Sequence, residues 1–433
     1  RNLIYRRSKS ANDTLPFGTE QDIMAEGYRS LNHSIAATSV TEEHARVQFG
    51  GPDCKKPYSA SRLNISGMSF GALSGPAIAA MNKGARLGNF AHNTGEGGIS
   101  KYHLQHGGDL IWQIGTGYFG CRNTDGSFSA DAFARNAARD SVKMIELKIS
   151  QGAKPSHGGV LPGVKVSSEI AEARGVPQGE TVYSPANHPE FSSPAGLLQF
   201  IAHMRELSGG KPVGFKLCLG RKAEFMSIVK AMLDTDILPD FITIDGAEGG
   251  TGAAPAEFSN RLGTPCLEAT YYIHQVLVGA GIRDSIQLIS SGQTASGFDM
   301  LEKLLVGANT VNAARSMMMA VGCVQAKACN TNKCPTGVAT QDPARARAID
   351  VEDKAIRVKN FHHGTLHACF ELCGAMGYTN PDDPSPADLF CRYNEGLKNF
   401  DQIYEPLTHG QLFAENIPKS YRDDWHRASA KHF

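Results

Sequence analysis

The sequence predicts an α/β protein, a (β/α)8 TIM-type barrel with an irregular N-terminal lead-in and a helical C-terminal cap. Three observations predict it. Short runs rich in Ile and Val alternate with amphipathic stretches, a Gly- or Ser-bearing turn follows each run, and there are about eight such units. The count favours closure into a barrel. An open doubly wound sheet is the alternative that the same alternation permits.

The elements follow in order. Residues 1–60 mix Pro, Gly and charge and read as a lead-in with short helices; the basic Arg6, Arg7 and Lys9 read as a solvated terminus. Residues 61–345 carry the barrel pattern, with apolar runs at 63–70, 110–114, 144–149, 213–218, 241–244 and 286–289. Helical stretches fall at 75–88, 131–143, 195–207, 222–234, 265–280 and 297–307. Residues 346–433 return to helix and then to Pro-rich loop, as a cap. In a barrel the functional residues gather where strands end and βα loops begin.

Composition excludes several classes. There are 43 basic and 43 acidic residues, formal net charge +0 and no long single-sign run, so no bulk charge draws nucleic acid or anionic membrane. No apolar run approaches the roughly 18 residues of a membrane span. Of ten cysteines, seven are scattered, as in a reduced, cytoplasmic protein. The chain opens on Arg1 rather than Met, which leads us to expect a processed or trimmed form.

The other three cysteines need their own explanation. Cys323, Cys329 and Cys334 are separated by five and then four residues, and Pro335 follows. Three thiolates in so short a segment suit a three-iron cluster better than zinc, which favours a fourth ligand and CxxC pairs. A zinc site completed by a remote His, or chance proximity, stays open. A second apparent signal, Gly115-Thr-Gly-Tyr-Phe-Gly120, matches the dinucleotide fingerprint, but a turn rather than a helix follows it. We read it as a βα loop and expect no NAD(P)H site.

Several separated motifs together resemble the synthase domain of glutamate synthases, in particular a shorter, stand-alone FMN-binding branch. They are Ile65-Ser-Gly-Met-Ser-Phe-Gly-Ala-Leu-Ser74, Asn93-Thr-Gly-Glu-Gly-Gly98, Lys148-Ile-Ser-Gln-Gly-Ala-Lys-Pro155, Asp245-Gly-Ala-Glu-Gly-Gly-Thr-Gly-Ala-Ala-Pro255, and the cysteine segment continuing Gly337-Val-Ala-Thr-Gln-Asp342. The resemblance runs over 62–345. It implies a (β/α)8 barrel with FMN at the strand C-termini, 2-oxoglutarate stacked over the flavin and a [3Fe-4S] cluster on Cys323, Cys329 and Cys334. No amidotransferase domain fits before residue 62, and no β-helical domain fits after the barrel. Ser156-His157-Gly158-Gly159 departs from the family's Gly-Glu-Gly-Gly, Tyr118 replaces an arginine, and Asn312-Ala-Ala-Arg315 replaces a Gly-rich phosphate segment.

The resemblance also assigns residues. Met68 and Ser69 lie against the flavin ring, where Met68 alone would read as core. Asn93, Thr94 and Glu96 belong to a polar loop that either bonds flavin edges or is a tight turn. Gln113, Gly249 and Gly250 complete the cofactor wall. Lys148 and Lys216 interrupt apolar strands; a buried lysine is costly unless paired, so both are expected at an anionic flavin edge, with snorkelling to the surface as the alternative. Ser291, Gly292, Ala314 and Arg315 follow two strands and suit a phosphate, as helix-opening turns do; ordinary barrel turns are the alternative. Gln151, Gly152 and Lys154 fall where 2-oxoglutarate is held and Arg174 where an arginine closes on its distal carboxylate, unless Arg174 is a surface helix charge. Glu248 is a proton donor or ammonia-binding carboxylate, or a turn residue. Lys154, Gln151 and Glu248 form the expected catalytic set.

The activity implied is reductive. An external donor, ferredoxin or a reductase partner, supplies electrons singly through the cluster to FMN, which passes a hydride to the imine of 2-oxoglutarate and ammonia. A different amino or keto acid substrate is the second reading, and an electron-transfer or scaffold subunit the third. A homo-oligomer is expected to be possible, and relatives of the short branch suggest a membrane tether upstream of Arg1.

Overall fold

The structure, a computed structural model, describes residues 1–433 apart from Leu15 and Glu395. Eight parallel strands close on themselves: β1 (Leu63–Ile65), β2 (His92–Asn93), β3 (Leu110–Ile114), β4 (Val142–Lys148), β5 (Val213–Leu217), β6 (Phe241–Asp245), β7 (Gln287–Ser291) and β8 (Thr310–Ala313). Closure runs through β8 and β1, where Val311, Asn312 and Ala313 oppose Leu63, Asn64 and Ile65. The barrel, not the open sheet, is therefore the fold.

The outer layer is α1 (Gly75–Gly88), α2 (Lys101–Leu104), α3 (Ala130–Ala137), α4 (Pro194–Leu207), α5 (Lys222–Thr235), α6 (Cys266–Gly279), α7 (Gly297–Leu305) and α8 (Arg315–Val321). Local chemistry sets their ends. Ser74 accepts the Ala77 N–H ahead of α1, Ser193 precedes Pro194 at the start of α4, and Ser296 with Asp299 forms a capping box on α7. Five of the helices expected from periodicity lie within two residues of these bounds.

Two expected elements are corrected. The 131–143 stretch is not one helix: α3 stops at Ala137 and β4 begins at Val142, because the apolar period switches there from helical to strand spacing. The 63–70 run pairs only as Leu63–Ile65; from Ser66 the chain leaves the sheet and curls over the barrel mouth. Gly67 permits this, since a Cβ there would stand 2.8 Å from Gln113 Nε2 and 2.9 Å from Asn93 Oδ1.

The lead-in and the cap hold more than short helices and loop. An antiparallel pair, Arg46–Phe49 with Tyr58–Ser61, closes the N-terminal end of the barrel, and Phe49 meets Phe241 edge to face at 5.8 Å. After the barrel, α9 (Val351–Ala375) packs on α1, and strands Leu389–Tyr393 and Gly396–Asn399 form a hairpin that takes Arg29–Leu31 from the lead-in as its third strand. With its N-terminal end plugged, the barrel is open to ligands at the C-terminal ends of the strands.

Candidate active site

The barrel interior is polar at its centre. Glu146, on β4 and fully buried, accepts hydrogen bonds from Asn93 Nδ2 (2.8 Å), Gln113 Nε2 (2.7 Å) and Thr243 Oγ1 (2.6 Å). A buried carboxylate with three donors is a fixed anion, and a lysine ammonium follows it toward the mouth. Lys216, at the end of β5, lies 3.2 Å from Asp245 Oδ2. Burial opposes its charge, but Asp245 and then Glu146 hold the ammonium above the ordinary lysine range. Lys148, at the end of β4, lies 2.9 Å from Glu96 Oε1 and donates to Gln151 Oε1 at 2.6 Å. Burial raises the Glu96 pKa, yet Lys148, with Arg174 and Lys154 behind it, brings it below the usual carboxylate value.

Lys148 is held from outside the barrel. His188 Nε2 donates to the Lys148 carbonyl at 2.8 Å, so Nδ1 is the bare nitrogen that accepts the Tyr118 hydroxyl at 3.0 Å. Tyr118 itself adopts a left-handed backbone conformation, φ 48°. It belongs to the Gly115–Gly120 segment, which is a turn beneath Glu96.

Above these pairs opens a cavity of about 570 Å³, within the range of cofactor and small-molecule sites. One side brings together Met68, Ser69, Glu96 and Gln113 with Lys148 and Lys216. Gln151, Lys154 and Arg174 line it as well. Lys154 Nζ donates to the Gly158 carbonyl at 2.8 Å, and burial lowers its pKa. Arg174, only 5% exposed, ends the helix Ser168–Arg174, so it is not a surface charge. Its guanidinium lies over the Phe119 ring at 4.9 Å and donates to the Phe70 carbonyl at 3.2 Å, while Nε is buried with no partner among the described residues. Burial pushes its pKa down to about 10.

The opposite side is backbone. Gly249 and Gly250 form a wall continuing to Gly252, which abuts Cys329. Ser291 and Gly292 lead off β7, and Ala314 and Arg315 open α8. Only glycine fits at 292, where a Cβ would stand 2.6 Å from Glu248 Oε1 and 2.7 Å from Cys266 Cβ. The Arg315 guanidinium is tied to the Glu248 carbonyl at 2.8 Å.

Five expected site residues do not line this cavity, Cys334 among them. Asn93 and Thr94 lie beneath it: Asn93 bonds Glu146, and Thr94 Oγ1 accepts the Gln113 N–H at 3.1 Å. Gly152 donates its N–H to Asp245 Oδ2 at 2.9 Å, and a Cβ there would overlap the Gly246 carbonyl oxygen. The Glu248 carboxylate accepts the Cys266 N–H at 3.0 Å at the start of α6, where it suits the helix dipole. In this structure it caps α6.

Cys323 and Cys329 line the cavity and Cys334 is buried behind them. Burial alone would raise the Cys334 pKa, but hydrogen bonds from Ala339, Thr336 and Val338 bring it below the ordinary value, as suits a ligand thiolate. Among the described residues no three His, Cys, Asp or Glu side chains converge as a single-metal site. A three-iron cluster places each thiolate on its own iron, so its ligands need not converge on one point.

Sequence reasoning missed Glu146, Asp245, His188 and Lys165. Glu146 carries the signal that marked Lys148 and Lys216, a charge inside an apolar strand. Lys165 carries none. Its side chain is buried at 2% exposure against the cysteine loop.

Fold and site together define a (β/α)8 barrel with a cofactor-sized, cation-rich cavity at the strand C-termini. Residues 32–379 match the family described as the conserved region in glutamate synthase, and the chain belongs to that family. A glutamate synthase large subunit-like protein of Bacillus subtilis is 41% identical over 358 residues, 82% of this chain and 68% of the relative. The archaeal glutamate synthase [NADPH] of Methanocaldococcus jannaschii is 34% identical over 316 residues, 73% of this chain and 59% of that protein. The chain thus spans between about six and seven tenths of these relatives. Among solved structures, a flavocytochrome b2 variant with pyruvate bound shares the fold at TM-score 0.50 and 12% identity, over 83% of this chain and 75% of that one. No helix among the described residues is long and apolar enough to cross a membrane.

Proposed function

We propose that the chain is an FMN- and iron–sulfur-dependent oxidoreductase that reduces the imine of 2-oxoglutarate and ammonia to L-glutamate. The observation that carries this reading is one cavity bounded by paired strand-end lysines, a glycine-built backbone wall and two of three closely spaced cysteines. FMN would supply hydride chemistry, and a [3Fe-4S] cluster would supply single electrons from ferredoxin or a reductase partner.

The residues present fit both groups. The open space where a Gly250 Cβ would stand suits a ligand that approaches the backbone closely. Ser291, Gly292, Ala314 and Arg315 would hold the phosphate; Met68, Ser69, Gln113, Lys148 and Lys216 would face the ring. The three cysteines, one of them favoured as thiolate, would hold the cluster.

The remaining chemistry belongs to the chain's own side chains. Lys154 and Arg174 offer one compact and one forked cation for the two carboxylates of a dicarboxylic keto acid. Arg174 Nε, buried with no partner among the described residues, is a donor left for such a ligand. Gln151, fixed by Lys148, orients the substrate, and Glu96 pairs with Lys148. Positioning supplies most of the catalysis these residues contribute.

His157 motivates a second reading, another keto or amino acid. Its Nδ1 donates to the Gly158 carbonyl at 2.8 Å, and it lines a small cleft beside Lys148 and Glu96. An electron-transfer or scaffold subunit is disfavoured by the buried cations Lys154 and Arg174, which such a role does not require.

Cofactor analysis of anaerobically purified protein tests the proposal. FMN at one per chain, with three irons that vanish in Cys329→Ala while the flavin stays, is expected. A preparation that binds flavin but takes up no iron after reconstitution contradicts the cluster.

A further inference from the structure

Three successive carbonyls of the loop joining β1 to α1 are held from the far side of the cavity. Gln341 Nε2 donates to the Gly71 oxygen at 3.1 Å and the Leu73 oxygen at 2.8 Å. Between them, Lys165 Nζ donates to the Ala72 oxygen at 2.9 Å. The next residue, Ser74, gives its N–H to the Val338 carbonyl at 2.9 Å. This loop begins with Met68 and Ser69 on the cavity wall, and Val338 and Gln341 belong to the segment that carries the cysteines.

Lys165 also reaches the cysteine segment itself. Its Nζ lies 3.2 Å from the Cys329 oxygen and 3.4 Å from the Ala339 oxygen. A neutral amine has two N–H donors, whereas three carbonyl acceptors call for three, so the geometry selects the ammonium. A buried ammonium that meets no carboxylate among the described residues needs a counter-charge. The groups that act on it with negative charge are Cys329 and Cys334, which would be thiolates on a cluster.

We infer that Lys165 is a positioning and charge-setting residue for the iron–sulfur centre, joining its ligand loop to the flavin-facing loop and raising its reduction potential. The inference rests on the reading that Cys323, Cys329 and Cys334 hold such a centre. Reduction adds one electron, from a ferredoxin-type donor or from dithionite in a titration, to a centre already made anionic by three thiolates. A fixed positive charge at Cys329 favours the added electron, and removing it disfavours the reduced form.

The test is a potentiometric titration of the oxidised cluster's EPR signal in wild type, Lys165→Met, Lys165→Arg and Gln341→Leu. Lys165→Met is expected to lower the equilibrium constant for cluster reduction at least tenfold, about 59 mV for a one-electron couple. Lys165→Arg restores the wild-type midpoint, and Gln341→Leu, which breaks the other clamp without removing charge, leaves it in place. If Lys165→Met holds less than three irons, Lys165→Gln takes its place, keeping hydrogen-bonding capacity without charge. A wild-type midpoint in the uncharged variants, or an equal shift in Gln341→Leu, overturns the inference. A wild-type protein that shows no cluster signal after reconstitution instead overturns the reading on which it rests.

Discussion

Acidification should destabilise this protein steeply, through histidines that the fold keeps neutral. Burial pushes His92, His274 and His362 down to about 3 and His188 down to about 4. Both His92 ring nitrogens lack a partner among the described residues, His274 Nδ1 accepts from Arg283 Nε at 2.9 Å, and His362 stacks on Phe90 at 3.9 Å between ring centroids. Among the described residues none of the four is ion-paired with a carboxylate, and at His188 burial outweighs the attraction of Glu96. The unfolded chain takes up a proton at each near pH 6.5, while the folded chain does not until pH 4 or below. The unfolded state therefore binds more protons through that window, and stability is lost as pH falls through it. At pH 5, about 1.5 units below the unfolded value, the loss is about 2 kcal/mol per histidine and about 8 kcal/mol for four, against a typical total of about 5–15 kcal/mol. At His188 a proton on Nδ1 would also set two donors, ring and Tyr118 hydroxyl, against each other behind Lys148. Urea unfolding at pH 7 and pH 5 measures the effect, with His362→Gln as the control whose pH dependence should be shallower by about 2 kcal/mol. A wild-type unfolding free energy that changes by less than about 2 kcal/mol over that range refutes the reasoning.

Other perturbations address the site. Gly292→Ala forces a Cβ against Glu248 and Cys266; it should cost about 1–3 kcal/mol of stability and release flavin on dilution, read by fluorescence of the filtrate. Lys154→Met removes a charged donor from the substrate pocket and should lower kcat/KM for the keto acid by about 10- to 100-fold, with flavin content unchanged. Cys329→Ala should leave the flavin reducible by dithionite but no longer by ferredoxin, followed as bleaching of flavin absorbance; normal reduction by ferredoxin would remove the cluster from the electron route. Glu96→Gln leaves Lys148 without its anion and should cost about 3 kcal/mol, seen as an earlier urea midpoint.

The fold was legible because barrel strands and helices carry different apolar periods, and Ser74, Ser193 and Ser296 mark helix starts. The hairpin Arg46–Phe49 with Tyr58–Ser61 was not, because four-residue strands set among Gly and Pro give too short a period to read. The two-residue strand β2 is concealed for the same reason, so that its Asn93 reads as a loop residue. Strand-end cations were legible at Lys148 and Lys216, where charge interrupts an apolar run. The same rule applied to Glu146 would have found the anion at the barrel centre. Glu248 shows the limit of motif position. A carboxylate in a glycine-rich loop is equally suited to a ligand or to a helix N-terminus, and the turn at Gly246 aims it at α6. Lys165 depends wholly on tertiary packing, since its acceptors lie at residues 72, 329 and 339.

The central claim is that this cavity lets a reduced flavin reduce an imine built from 2-oxoglutarate. The most direct measurement is anaerobic: reduce the cofactor-loaded protein, add 2-oxoglutarate with ammonium, and follow flavin absorbance and glutamate together. Prompt reoxidation with one glutamate formed per flavin is the expected result. A flavin that stays reduced, in protein whose flavin and cluster spectra are intact, contradicts the claim and moves the search to another keto acid.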